Sequence, residues 1–337
     1  MRLTVLRIFS LFLLLAGLAS AQAMRIGTLD FYGLRKVHEA KVRQALGARE
    51  GDPLPRSKGD AEERLDKIPG IVESHLEAVC CQSGKAILYV GIEEKGATHF
   101  DLREPPDGDI LLPDEITGAY QQFLQTWQTA LRKGEDGEDL TRGHALSANV
   151  ETRAIQERFI VLATDYLAEL RNVLRNSSDE EQRATAAGVI GYAARKKDIV
   201  DDLQYALRDA DPGVRANAVR SLMALSVLAR LDPDSLVKVS ATWFIEMLNS
   251  LSWSDRKQAL MALQILTDTR DASVLDQLRT RSLASLAEMA RWKTLAHALP
   301  AYILLGRIAG VSEPDIQAAW SRGDRESVIA KAIGKKK

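Results

Sequence analysis

One loop of the chain brings acid and base side chains close together. Glu138-Asp139-Leu140-Thr141-Arg142-Gly143-His144 places carboxylates five and six residues before an imidazole. With Asp139 orienting His144, the imidazole would act as a general base in a hydrolytic reaction. A nucleophile would complete the set, and none stands at a recognisable spacing. The same residues also make a structural loop. Asp139 and Thr141 bond the local backbone, Gly143 turns the chain, and His144 packs at a helix junction. The structural reading is preferred. The alternative is an accessory subunit or weak hydrolase using Asp139 and His144.

The remaining chemistry-bearing residues are scattered. The five histidines, His38, His75, His99, His144 and His297, lie far apart, and no pair has the spacing of a helical zinc site. His38 precedes Glu39, but no second histidine follows at the spacing of a zinc-protease motif. The chain has no phosphate-binding loop and no Gly-x-Ser-x-Gly elbow. No catalytic, cofactor-binding or metal-binding residue is therefore assigned, and the chain is read as a non-enzyme. The two cysteines, Cys80 and Cys81, are adjacent and lack the spacing of redox or zinc motifs. Across a trans peptide, neighbouring Cα atoms lie about 3.8 Å apart. Disulfides usually need about 4.4–6.8 Å. On a strand the two side chains would point to opposite faces. The expectation is a small buried residue beside a free thiol, with an intermolecular bridge as the alternative.

Composition narrows the class. A net charge of −1 over 337 residues argues against a general nucleic-acid binder. The N-terminus has Arg2 and Arg7, an apolar run from Ile8 to Leu18, and small-x-small sites at Ala19-Ser20-Ala21 and Ala21-Gln22-Ala23. That order reads as a signal peptide over 1–23, cleaved before Gln22 or Met24. The apolar run is shorter than the roughly 20 residues of a membrane span. No later segment is apolar enough to cross a bilayer, so the leader points to an exported protein. The expected partners are proteins.

The elements that must position these residues fall into three parts. In 24–96, Ile26 to Tyr32 is strand-like, Val37 to Leu46 and Asp60 to Ile68 are helical, and Glu73 to Gln82 and Lys85 to Glu94 are strands. Ser83-Gly84 joins the last two as a hairpin. The order is β-α-α-β-β. With Gly33 after the first strand, Gly51 after the first helix and Ile92-Glu93-Glu94 at the close, this unit resembles a POTRA domain. The resemblance implies an exported protein-binding module of the bacterial periplasm or cell envelope, whose second strand lies at a sheet edge, placing Cys80 and Cys81 among the partner-binding candidates. No alternating barrel strands follow, so it implies no outer-membrane pore.

Residues 97–177 read as a turn-rich linker, Arg103 to Asp114, and two helices, Glu115 to Arg132 and Val150 to Leu174. Over 178–337 a motif recurs. Arg183-Ala184-Thr185-Ala186-Ala187, Arg215-Ala216-Asn217-Ala218-Val219 and Arg256-Lys257-Gln258-Ala259-Leu260 align at spacings of 32 and 41 residues. The best copy, Asp211 to Leu222, has a capping Asp211, Pro212 at the first helical position, and Val214, Ala218, Val219 and Leu222 on one face. It resembles a HEAT repeat. Partner helices are expected near Ile199 to Arg208, Leu236 to Leu248 and Val274 to Ala290. Two more, Trp292 to Ile308 and Pro314 to Ala332, would cap the stack. The fold class is mostly α: a small β-α-α-β-β domain, a helical linker and an α-solenoid of HEAT-like repeats. The resemblance implies partner binding along the second helices, where Tyr205, Arg208, Lys238, Trp243 and Arg279 stand. The function read here is a non-catalytic adaptor. A HEAT-like lyase chaperone for a chromophore is the third class, and the leader sequence argues against it.

Overall fold

The computed structural model describes residues 24–334. The leader, its cleavage sites and residues 335–337 lie outside the described residues. The N-terminal unit has β1 (Ile26–Tyr32), α1 (Glu39–Leu46), α2 (Lys58–Asp66), β2 (Ile71–Gln82) and β3 (Lys85–Glu94), the expected order. The sheet order is β1-β3-β2, with β1 parallel and β2 antiparallel to the central β3. β3 is buried on both faces, which explains its nearly unbroken apolar run. Leu88, Val90 and Ile92 join Val42, Leu46, Ala61 and Leu65 in a small core under the two helices. Ile87 and Tyr89 point the other way, into the main core of the molecule.

That main core is helical. After 97–113 come α3 (Asp114–Lys133), a two-strand ladder of β4 (Glu138–Asp139) with β5 (Leu146–Ser147), α4 (Val150–Asp165), α5 (Leu167–Asn176) and α6 (Glu180–Ile190). There follow α7 (Val200–Ala206), α8 (Pro212–Leu231), α9 (Thr242–Met247), α10 (Trp253–Leu266), α11 (Ala272–Arg281) and α12 (Leu283–Met289). The chain ends with α13 (Leu295–Ile308), α14 (Glu313–Ser321) and α15 (Arg325–Ala332). Helices α6, α8, α10 and α13 pack in succession as a first layer, and α5, α7, α9, α11 and α12 pack behind them as a second.

Several expected helices are shorter or broken. The stretch from Val150 to Leu174 breaks at Tyr166, which frees α5 to turn Leu170, Val173 and Leu174 into the core. The stretch from Val274 to Ala290 breaks at Ser282, whose buried hydroxyl donates to the Ile245 carbonyl at 2.6 Å. Helix α9 starts at Thr242, because Asp232 caps a short 3-10 turn and Leu236 sits in the left-handed region. The final helix splits at Gly323, at φ +74°.

The aligned arginines share one geometry. In α6, α8 and α10 the capping residue stands four positions before the arginine: Asp179, Asp211 and Ser252 accept backbone N–H groups of the first turn. Arg183 Nη1 donates to the carbonyls of Ser177 and Ser178, and Arg215 Nη1 donates to those of Asp209 and Ala210, at the same offsets. Arg256 Nε reaches Ser250, again six residues back. Each arginine also meets an acid of the following repeat: Arg183 with Asp209, Arg215 with Asp255, and Arg256 with Glu288. These groups are buried, with Arg183 and Asp209 only 2% and 3% exposed. Buried charge is tolerated at Arg183 and Arg215 because each guanidinium has both a carboxylate and carbonyl oxygens, while Arg256 has one carbonyl and a looser ion pair at 3.7 Å.

The sheet docks on the edge of this stack. Tyr89 stacks on Trp253 at 4.9 Å and meets Trp292 at 5.0 Å between ring centroids. Its hydroxyl shares a 2.6 Å hydrogen bond with His297 Nδ1. The Tyr32 hydroxyl donates to the Leu251 carbonyl at 2.7 Å, and Gly33 N–H donates to Glu288 at 2.9 Å. Lys293 reaches Asp30, the Leu29 carbonyl and Glu50. Residues 97–113, most of them in the linker expected over Arg103 to Asp114, lie along the same edge as a strap. Arg103 N–H donates to the Arg208 carbonyl, and Gly108 N–H to the Asn176 carbonyl. Both carbonyls lie seven residues before a repeat arginine, so the strap reads the repeat.

Candidate interaction site

The 138–144 loop is structural in its geometry. Asp139 Oδ1 accepts from the Thr141 N–H at 2.9 Å and the Thr141 hydroxyl at 2.7 Å. Gly143 turns the chain at φ +74°. His144, 8% exposed, packs against Tyr192 with ring centroids 5.3 Å apart. Both its ring nitrogens are buried without a hydrogen-bond partner among the described residues. Burial, with the charges of Lys196 and Arg142, lowers its pKa to about 4. The acid and the imidazole are not joined as an orienting pair, and Glu138 is committed to Arg220. Sequence reasoning missed Lys196 beside this loop. Its ammonium donates to the Gly191 carbonyl at 2.8 Å, and burial lowers its pKa to about 7.

The cysteine expectation needs correction. Cys80 and Cys81 are bonded to each other in a disulfide, with Cα atoms 3.1 Å apart across a cis peptide, and both residues are exposed. There is neither a buried small residue nor a free thiol, and neither sulfur is available for an intermolecular bridge. The expectation of opposite faces presumed a trans peptide. The pair sits near the tip of the β2–β3 hairpin, on the edge strand. That edge is partly closed: the Leu76 N–H points away from β3 and donates to Glu62 of α2 at 2.7 Å. By alternation the Ala78 N–H faces the same way, and Ala78 is exposed; the regular register ends at Val79, before the cysteine pair.

The solenoid candidates separate into two groups. Tyr205 on α7, Arg208 just beyond it and Trp243 on α9 come together on the second layer. The Arg208 guanidinium lies 4.7 Å from the Trp243 ring centroid. Tyr205 lies between two guanidiniums, Arg103 of the strap at 3.1 Å and Arg175 of α5 at 4.3 Å. Arg175 and Arg171 both bind Asp202 at 2.7 Å. Tyr205, Arg208 and Trp243 are all half-exposed. Lys238 and Arg279 stand apart from this cluster. Lys238 is exposed in the loop before α9, and Arg279 spans to the Ile308 carbonyl at 2.7 Å. Arg103, Arg171 and Arg175 were missed, because only the folded strap and the α5–α7 packing bring Arg103 and Arg175 to Tyr205 and Arg171 to Asp202.

No described helix is long and apolar enough to cross a membrane. No group of three or more potential metal-binding His, Cys, Asp or Glu residues occurs among the described residues. No curated protein matches the chain. Residues 167–241, from α5 to the loop before α9, match the family described as HEAT repeats, and a protein-interaction scaffold is the coarse function that such repeats suggest.

Proposed function

We propose that the protein is an exported, non-catalytic adaptor that binds partner proteins on the second-layer face of its solenoid. The observation that carries this is the cluster of Tyr205, Trp243 and arginines left half-exposed on a HEAT-type stack. Such side chains supply much of the energy at protein interfaces. The POTRA-like unit adds a second docking edge at Ala78, where backbone groups of β2 are open to an added strand. Export is supported by the leader pattern of the first 23 residues. The test is affinity capture with wild type and with a Tyr205→Ala/Trp243→Ala variant. The expected result is a protein retained by wild type and depleted about tenfold by the variant, a loss of about 1.4 kcal/mol. An identical retained set for both proteins overturns the reading.

A further inference from the structure

We propose that the face around Tyr205 docks an acidic protein segment, whose carboxylates pair with Arg103 and Arg208. This deepens the adaptor reading and rests on it. Three guanidiniums, Arg103, Arg175 and Arg208, lie over Tyr205 and Trp243, and a fourth, Arg171, shares Asp202 with Arg175. Their acids are already spoken for. Asp202 serves both Arg171 and Arg175, and Asp209 is enclosed by Arg183. Among the described residues no carboxylate lies at ion-pair distance from Arg103 or Arg208. Arg208 Nε donates only to a backbone carbonyl, that of Asp101, at 3.0 Å.

The surface is built rather than incidental. The strap is fixed at this point by the backbone bond from Arg103 to the Arg208 carbonyl, so two uncompensated cations are held side by side. Partial burial pushes the Arg103 pKa down, and Arg208 and Arg175 add like-charge repulsion that Asp209 opposes. An incoming carboxylate would relieve that repulsion and find planar donors suited to bidentate pairing. The flanking Tyr205 and Trp243 rings give the segment apolar contact.

The test uses the protein with its strap intact and a fluorescent oligoglutamate peptide, read by anisotropy. Wild type is expected to bind it, with affinity falling as salt rises to about 0.3 M. Arg103→Ala/Arg208→Ala is expected to bind about tenfold more weakly. Arg103→Lys, which keeps the charge and loses the planar fork, should bind with an affinity between those of wild type and the double variant, and Arg279→Ala, outside the cluster, should match wild type. Melting curves accompany each variant. If the double variant melts early, Arg103→Gln alone replaces it, since the strap's backbone bond does not need that side chain. Three results overturn the proposal: no binding by wild type, equal binding by the double variant, or tighter binding of an oligothymidylate of equal charge. Partner capture without oligoglutamate binding removes the acidic partner and leaves the adaptor reading in place.

Discussion

His144 shows how far a single residue can be read. Its surroundings hold the imidazole neutral, with a pKa near 4, below the usual value of 6.5. As pH falls, the unfolded chain therefore takes up the proton first. The stability tied to this group is intact above pH 6.5 and is lost as pH falls toward 4. Between pH 7 and pH 5 the expected loss is about 2 kcal/mol. His144→Phe keeps a ring in the site and removes the titration, so its urea midpoint should fall less than that of wild type over the same range. Equal falls would mean that His144 is not the titrating group. The loop role of Asp139, Thr141 and Gly143 is legible in the sequence, because each bonds or turns within a few residues. The Cys80–Cys81 pairing is not, since nothing in the sequence marks that peptide as cis.

At the scale of elements, the repeat arginines join one helix pair to the next. Arg215→Met leaves Asp255 with only the Ser250 hydroxyl and no cation, and the Asp209 and Ala210 carbonyls without the guanidinium donor. The expected cost is about 3–5 kcal/mol in urea unfolding. Arg215→Met/Asp255→Leu should cost less than the sum of the single changes, which a double-mutant cycle reads directly. Strictly additive costs would show that the two side chains act independently. The arginines themselves are legible from their spacing, and so are β1 and β3 from their apolar patterns. Their acidic partners are not, because Asp255 and Glu288 sit in the following repeat at no fixed offset. Nor are the breaks at Tyr166 and Ser282. Neither carries glycine or proline, and the Ser282 break is held by a contact with a distant helix.

At the scale of the molecule, the sheet, strap and solenoid form one packed body. At Gly91 the sheet backbone comes close to the stack. A Cβ there would fall 2.5 Å from the Leu251 carbonyl oxygen and 2.7 Å from the Tyr32 ring. Gly91→Ala should therefore push the sheet off the stack, costing about 1–3 kcal/mol. Limited proteolysis should then cut faster within 97–113, and unchanged resistance would mean that the docking does not hold the strap. Separate domains joined by a linker are what the sequence suggests, because Tyr32 and Tyr89 find their partners far along the chain. That separation has a consequence in time. Tyr89 and His297 are 208 residues apart, and ribosomes add about 5–20 residues per second. The growing chain thus carries an uncovered aromatic sheet face for roughly 10–40 s before the helices that cover it exist. Tyr32 and Tyr89 stabilise the finished protein, and during synthesis they are the surface most open to capture by the wrong neighbour.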